Sequence, residues 1–189
     1  LNYDSSPTLR FEKIPLIGKS FKKNKDFFPF NVMYGDIIKG LPLKNNTIKG
    51  IYCSHVLEHL ALLELRKCLR NVYKILKKGG VFRAVLPDLK QYCLQYTNGE
   101  INSIEFIKLT GLGTLERKRS LKEILKNNFG ASRHLWMWDF TSLKNELFEC
   151  GFGEVREASY NDSIYEEFKL VETESRWKDE PVIGFEATK

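Results

Sequence analysis

The feature that most constrains this chain is a strand, helix, glycine turn and second strand in succession between residues 48 and 87. Ile48 to Cys53 is a short β-branched and aromatic run, the composition of a strand. After His59, Leu62, Leu65, Leu69, Val72 and Leu76 recur at spacings of three and four, which places them on one face of a helix. Lys77 and Lys78 then fall in the expected last turn, where cations oppose the helix dipole, and Gly79 stands where a left-handed cap ends the helix. Val81 to Leu86 is a compact strand stopped by Pro87. A crossover of this kind is right-handed and joins parallel strands, so the chain is of the α/β class.

The rest of the chain extends that unit in both directions. Residues 1 to 4 read as the end of a strand, followed by the turn-forming Ser5-Ser6-Pro7, and residues 8 to 26 as a basic, irregular excursion with at most a short helix. Phe27 to Val32 is a second strand leading to the Gly35-Asp36 turn, and Leu41-Pro42-Leu43 with Asn45-Asn46 forms a loop. Helical fragments are expected around 88–97, 102–109 and 119–128. Thr141 is read as the N-cap of a helix carrying Leu143, Leu147 and Phe148 and ending at Gly151. Val155 to Ala158 and Val182 to Thr188 are two final strands, separated by an acidic stretch with little pattern. With 189 residues, 42% hydrophobic and 29% charged, the expectation is one domain over residues 1–189, with 88–133 as a helical lid insert.

Composition excludes several classes. No stretch approaches the roughly 20 apolar residues that span a bilayer, and the first thirty residues lack a signal-peptide run, so no membrane association and a cytoplasmic location are expected. Cys53, Cys68, Cys93 and Cys150 show no Cys-x-x-Cys spacing and are read as reduced thiols, mostly core. Only His55, His59 and His134 are present and no His-Glu-x-x-His pattern occurs, which argues against a metal site. Residues 1–150 hold 25 basic and 14 acidic side chains, whereas residues 151–189 hold 5 and 10. That excess could draw an anionic partner, but it is spread rather than striped and no nucleic-acid-binding module accompanies it.

In an open parallel sheet ligands bind beyond the carboxyl ends of the strands. Four of those ends are polar here: Asp4, Asp36, Ser54-His55, and Pro87-Asp88. One carboxylate can accept from a ribose diol and another from an exocyclic amine, so together they describe an adenosine site. The runs Gly35-Asp36-Ile37, Leu41-Pro42-Leu43, Ile51 to Leu60 (including Ser54-His55 and Glu58-His59) and Leu76 to Phe82 follow one another in the order and spacing of a known family. In these motifs residues 35–90 resemble the class I S-adenosylmethionine-dependent methyltransferases, in particular the group called type 11.

That resemblance implies a Rossmann-like, mostly parallel sheet flanked by helices, with an antiparallel C-terminal strand, and S-adenosylmethionine as cofactor. It implies that Asp4 grips the ribose hydroxyls, against a turn-capping alternative, and that Asp36 meets the adenine amino group with Ile37 packed on the ring. Ser54 and His55 lie where the family's chain passes under the methionine moiety. His59 is weighed as a structural residue ahead of a catalytic one. In Ala131 to Leu143, Arg133 could clamp an anionic acceptor, His134 could take its proton, and Trp138 could border the acceptor pocket; an exposed Arg and a His packed on Trp136 or Trp138 are equally open. If the acceptor is a hydroxyl, His134, His55 or His59 is the base. The expected substrate is a small-molecule acceptor such as a sugar or another metabolite.

The family's strongest motif, a Gly-x-Gly loop after the first strand, is lacking. Gly111-Leu112-Gly113 is no substitute, because no strand precedes it. The expectation is that the first strand and glycine loop lie upstream of Leu1, and that residues 1–189 alone bind cofactor weakly. The rival readings are a degenerate methyltransferase-fold domain serving as a non-catalytic binding or scaffold module, and an RNA-directed enzyme.

Overall fold

The computed structural model describes residues 1–13, 28–114 and 133–189. The helical fragment expected at 119–128 lies outside them, as do most of the excursion at 8–26 and part of the 88–133 insert. In chain order the elements are β1 (Asn2–Asp4), α1 (Pro7–Glu12), β2 (Val32–Tyr34), β3 (Ile48–Ser54), a 3-10 turn (Leu57–His59), α2 (Leu62–Ile75) and β4 (Leu76–Pro87). They continue with α3 (Leu89–Thr97), α4 (Ser103–Leu109), α5 (Phe140–Cys150), β5 (Glu154–Glu157), α6 (Glu166–Lys169), α7 (Ser175–Lys178) and β6 (Val182–Thr188).

Two sheets result. β1 and β2 form a parallel pair, with Asp4 opposite Tyr34. The other sheet has the order β3-β4-β6-β5, in which β3 and β4 are parallel and β6 runs antiparallel to both its neighbours. The βαβ unit and the antiparallel C-terminal strand are therefore as the sequence predicts.

Three local expectations are corrected. Helix α2 ends at Ile75 rather than at Gly79, and Lys77 and Lys78 lie in β4. Its last carbonyls are taken from a distance: Asn46 N–H donates to Lys74, Thr47 N–H to Ile75, and Lys189 Nζ to Tyr73 and Leu76. With those partners in place Leu76 turns extended and pairs with Ile48. Gly79 keeps a positive φ of 71°, but as an irregularity inside β4. The N-cap of α5 is Asp139, whose Oδ1 accepts from Ser142 N–H at 2.8 Å, so Thr141 sits inside the first turn. The strand before Gly35 is Val32–Tyr34, later than Phe27–Val32.

The core lies between α2 and α5 on one side and the four-stranded sheet on the other. Leu65, Leu69 and Val72 of α2 and Leu143 and Leu147 of α5 meet Phe82, Ala84 and Leu86 of β4 and Ile183, Phe185 and Ala187 of β6. The sheet's opposite face is covered by residues 159–181. Trp177 Nε1 donates to Tyr52 Oη at 3.2 Å, and the Phe168 ring packs over Tyr52 with centroids 6.5 Å apart.

β4 is thus buried on both faces, and Arg83 on the second face is 0% exposed. Its guanidinium donates to Glu172, to Asp162 at 2.9 Å, to Glu186 at 3.1 Å and to the Ser159 carbonyl at 2.7 Å, and stacks on Trp177. The acidic stretch after β5, featureless as a sequence pattern, supplies most of the counter-charge of this buried cation.

Candidate functional site

Each polar group predicted at a strand end is there. Asp4 closes β1, and its carbonyl accepts from Gly35 N–H at 3.1 Å, which sets Asp4 beside the Gly35-Asp36 turn. A Cβ on Gly35 would stand 2.6 Å from the Tyr3 ring, so glycine is required for that approach.

Asp4 Oδ1 accepts from Ser6 N–H at 2.6 Å, while among the described residues Oδ2 accepts nothing. Asp36 is more fully committed: Oδ1 accepts from the N–H of Ile38 and of Lys39, at 2.9 and 3.3 Å, and Oδ2 pairs with Lys39 Nζ at 3.4 Å. Ile37 packs on the core, its carbonyl held by Asn71.

Ser54 ends β3 with its Oγ buried and unpartnered. His55 follows in a left-handed conformation, φ 51°, that costs a non-glycine residue roughly 1–2 kcal/mol. Its N–H donates to the Val85 carbonyl at 2.9 Å, and its ring turns toward the chain's C-terminal region: Nε2 lies 3.0 Å from the Arg176 carbonyl and Nδ1 3.5 Å from Glu180. No hydrogen bond among the described residues joins this group to Asp4 or Asp36.

The structure also brings together residues that sequence spacing separates. His55 Nδ1 is 3.6 Å and His59 Nε2 3.8 Å from the same oxygen, Oε1 of Glu58. The His134 ring packs edge-on against His59, with centroids 5.1 Å apart. His59 Nδ1 lies 3.0 Å from the Arg133 carbonyl, and His134 Nδ1 2.9 Å from that of Thr110. The N–H groups of Leu135 and Trp136 donate to the Glu58 carbonyl, pinning residues 133–136 to the 3-10 turn.

Glu58 is 1% exposed, and neither carboxylate oxygen has a hydrogen-bond partner. Burial pushes its carboxyl up to about 7, against the pull of its own backbone amide and of His55. Burial also lowers His134, with the neighbouring imidazoles acting in the same direction and the Thr110 carbonyl against it. Sequence reasoning missed Glu58 as a centre of this cluster; its place in a Glu-His pair was the only local signal.

Arg133 is exposed, and its guanidinium reaches only the Leu112 carbonyl at 3.3 Å among the described residues. Trp138 is 3% exposed and belongs to the core cluster, with its Nε1 unpartnered, so it is placed in the interior and not on an open pocket. Gly111 follows Thr110, the C-cap of α4, at φ 65°, and a Cβ there would lie 2.9 Å from the His134 ring. Burial raises the Cys53 thiol to about 12 and raises that of Cys68, as inert core thiols require. A surface groove of ≈ 590 Å³ opens elsewhere, beside Asp88, Asp139, Ser142 and Glu157, and includes none of the three histidines.

Parallel strands joined through a crossover helix, with polar groups beyond their carboxyl ends, define the class: a Rossmann-like α/β domain. Residues 12–84 match the family model described as a methyltransferase domain. A search of curated proteins returns no match. Solved structures similar to this chain include a SAM-dependent methyltransferase from Archaeoglobus fulgidus, 20% identical, TM-score 0.46, covering 85% of this chain and 68% of that one. A SAM-dependent methyltransferase from Thermotoga maritima is 15% identical with a TM-score of 0.47, over 84% of this chain and 63% of its own. Phosphoethanolamine N-methyltransferase 2 of Haemonchus contortus, solved with S-adenosyl-L-methionine, is 14% identical with a TM-score of 0.45, over 84% of this chain and 37% of its own. Among the described residues no helix is long and apolar enough to cross a membrane.

Proposed function

We propose that this protein transfers a methyl group from S-adenosylmethionine to a small-molecule acceptor, a sugar or another metabolite with a hydroxyl or amine. The observation that carries the reading is the methyltransferase-domain match over residues 12–84, which contains Asp36, Ile37, Ser54 and His55. Uncommitted polar atoms support the fit to this cofactor: Oδ2 of Asp4 and the buried, unpartnered Oγ of Ser54, each at the carboxyl end of a parallel strand.

In this reading Asp4 accepts from the ribose hydroxyls. Asp36, whose Oδ2 faces only the exposed Lys39 ammonium at 3.4 Å, accepts from the adenine amino group, and Ile37 packs against the base. Ser54 and the His55 backbone border the methionine portion. When bound, the sulfonium supplies an electrophilic methyl group, so the protein's task is to position the acceptor in line and exclude water. Arg133 reaches toward an anionic acceptor, and the imidazoles of His55, His59 and His134 border the same region, where a hydroxyl acceptor would give up its proton. Trp138 supports this loop from the core. Helices α3 and α4, in the insert that follows β4, act as the lid that selects the acceptor.

Calorimetric titration with S-adenosylhomocysteine tests the proposal. Saturable one-to-one binding is expected, weakened tenfold or more by Asp4→Asn, since a hydrogen bond to a charged group contributes about 1.5–3 kcal/mol. Absence of saturable binding, or binding indifferent to Asp4→Asn and Ser54→Val alike, would refute it.

A further inference from the structure

At the carboxyl end of β3, no other group among the described residues donates a hydrogen bond to the Glu58 carboxylate. Carbonyl oxygens only accept, so the 3.0 Å contacts of His55 Nε2 with Arg176 and of His59 Nδ1 with Arg133, and the 2.9 Å contact of His134 Nδ1 with Thr110, each require that ring nitrogen to carry the hydrogen. A neutral imidazole has one N–H, and all three spend it on the main chain. In the neutral form of each ring the remaining nitrogen is a lone pair. In His55 and His59 that nitrogen, Nδ1 and Nε2 respectively, is the one facing Glu58 Oε1, at 3.6 and 3.8 Å. Glu58 is 1% exposed, and among the described residues no other group donates to either oxygen. A buried carboxylate ringed by lone pairs is unfavourable unless a proton or a metal cation completes it.

One donor atom from each of Glu58, His59 and His134 lies within 4.8 Å of the others. Ligands about 2.0–2.2 Å from a tetrahedral ion are roughly 3.4 Å apart, so the three close by about an ångström on binding. The carbonyls that fix the His59 and His134 rings are the outer-shell partners that ligating imidazoles use to hold tautomer and orientation. Two imidazoles and one carboxylate suit an ion of intermediate softness, whereas calcium and magnesium prefer oxygen ligands throughout.

We propose that Glu58, His59 and His134 form a binding site for a divalent transition-metal ion of the zinc or ferrous class. Spacing along the chain conceals the site, because 75 positions separate its last two ligands and no compact metal motif exists. The ion ties the 3-10 turn after β3 to residues 133–136, so it orders the rim of the sheet.

The experiment is a zinc titration of chelator-treated protein against a chromophoric chelator, with cobalt absorption spectroscopy as a second readout of ligand geometry. One equivalent is expected to bind, with the intense visible bands of four- or five-coordinate cobalt. His59→Gln and His134→Gln should each weaken binding at least about a hundredfold. Gly111→Ala keeps every ligand but pushes on the His134 ring, and should weaken binding about tenfold, the usual effect of disturbing a ligand's support. Melting curves of the metal-free variants show that they remain folded. The proposal is overturned if the wild type binds no metal, in which case a proton completes the cluster, or if His59→Gln and His134→Gln bind zinc as the wild type does.

Discussion

Replacing Arg83 with methionine tests whether the buried cation holds the C-terminal half of the protein to the sheet. The substitution keeps the aliphatic stem but removes the charge that faces Glu172, Glu186 and Asp162. These three are not equally exposed to the loss. Glu186 keeps Arg156, at 2.6 and 3.1 Å, and Asp162 keeps Arg156 and the Ser159 N–H. Glu172 has a side chain 0% exposed and retains only the Asn161 N–H, at 2.8 Å. Stranding one buried charge costs about 3–5 kcal/mol, and the surviving partners of the other two put Arg83→Met near the lower end, about 3 kcal/mol. For a domain of this length that corresponds to a fall in Tm of roughly 6–12 °C. Urea unfolding followed by far-UV circular dichroism measures it. The double variant Arg83→Met/Glu172→Leu removes the stranded carboxylate as well, and should recover more than half of the loss. A loss below about 1 kcal/mol for the single variant, or no recovery in the double, would refute the argument that an uncompensated charge is the cause.

Two further outcomes follow from the same region. Burial alone would raise the Asp162 carboxyl, but hydrogen bonds from Arg156, the Ser159 N–H and Arg83 outweigh it and bring it to about 2. The folded value lies below the unfolded one, so its contribution is present at neutral pH and lost as pH falls from about 4 toward about 2; the difference in Tm between wild type and Asp162→Asn should shrink over that interval and stay constant above it. Gly184→Ala should destabilise the protein by at least about 1–3 kcal/mol, because the added Cβ collides with the Trp177 ring and the Ala158 carbonyl; calorimetry showing an unchanged Tm would contradict this packing.

What the amino-acid order alone determined is local. The βαβ unit, the termination of α5 at Gly151 and the strand Val182–Thr188 were legible because hydrophobic period and turn chemistry act over a few residues. The strand-end groups Asp4, Asp36 and Ser54-His55 were legible for the same reason, since a strand's end fixes which residue comes next. Tertiary structure decided the rest. Helix α2 stops at Ile75 because Asn46 and Thr47, and Lys189 from the other end of the chain, take the carbonyls around its end. The acidic stretch becomes the counter-charge of Arg83 only once β4 is buried on both faces, and Trp138 becomes core only when α5 docks. Glu58 gains three imidazoles as neighbours because main-chain carbonyls from residues 110, 133 and 176 aim the rings at it. No local pattern encodes such a meeting, since it depends on where distant backbone segments are placed and not on the spacing of the residues themselves.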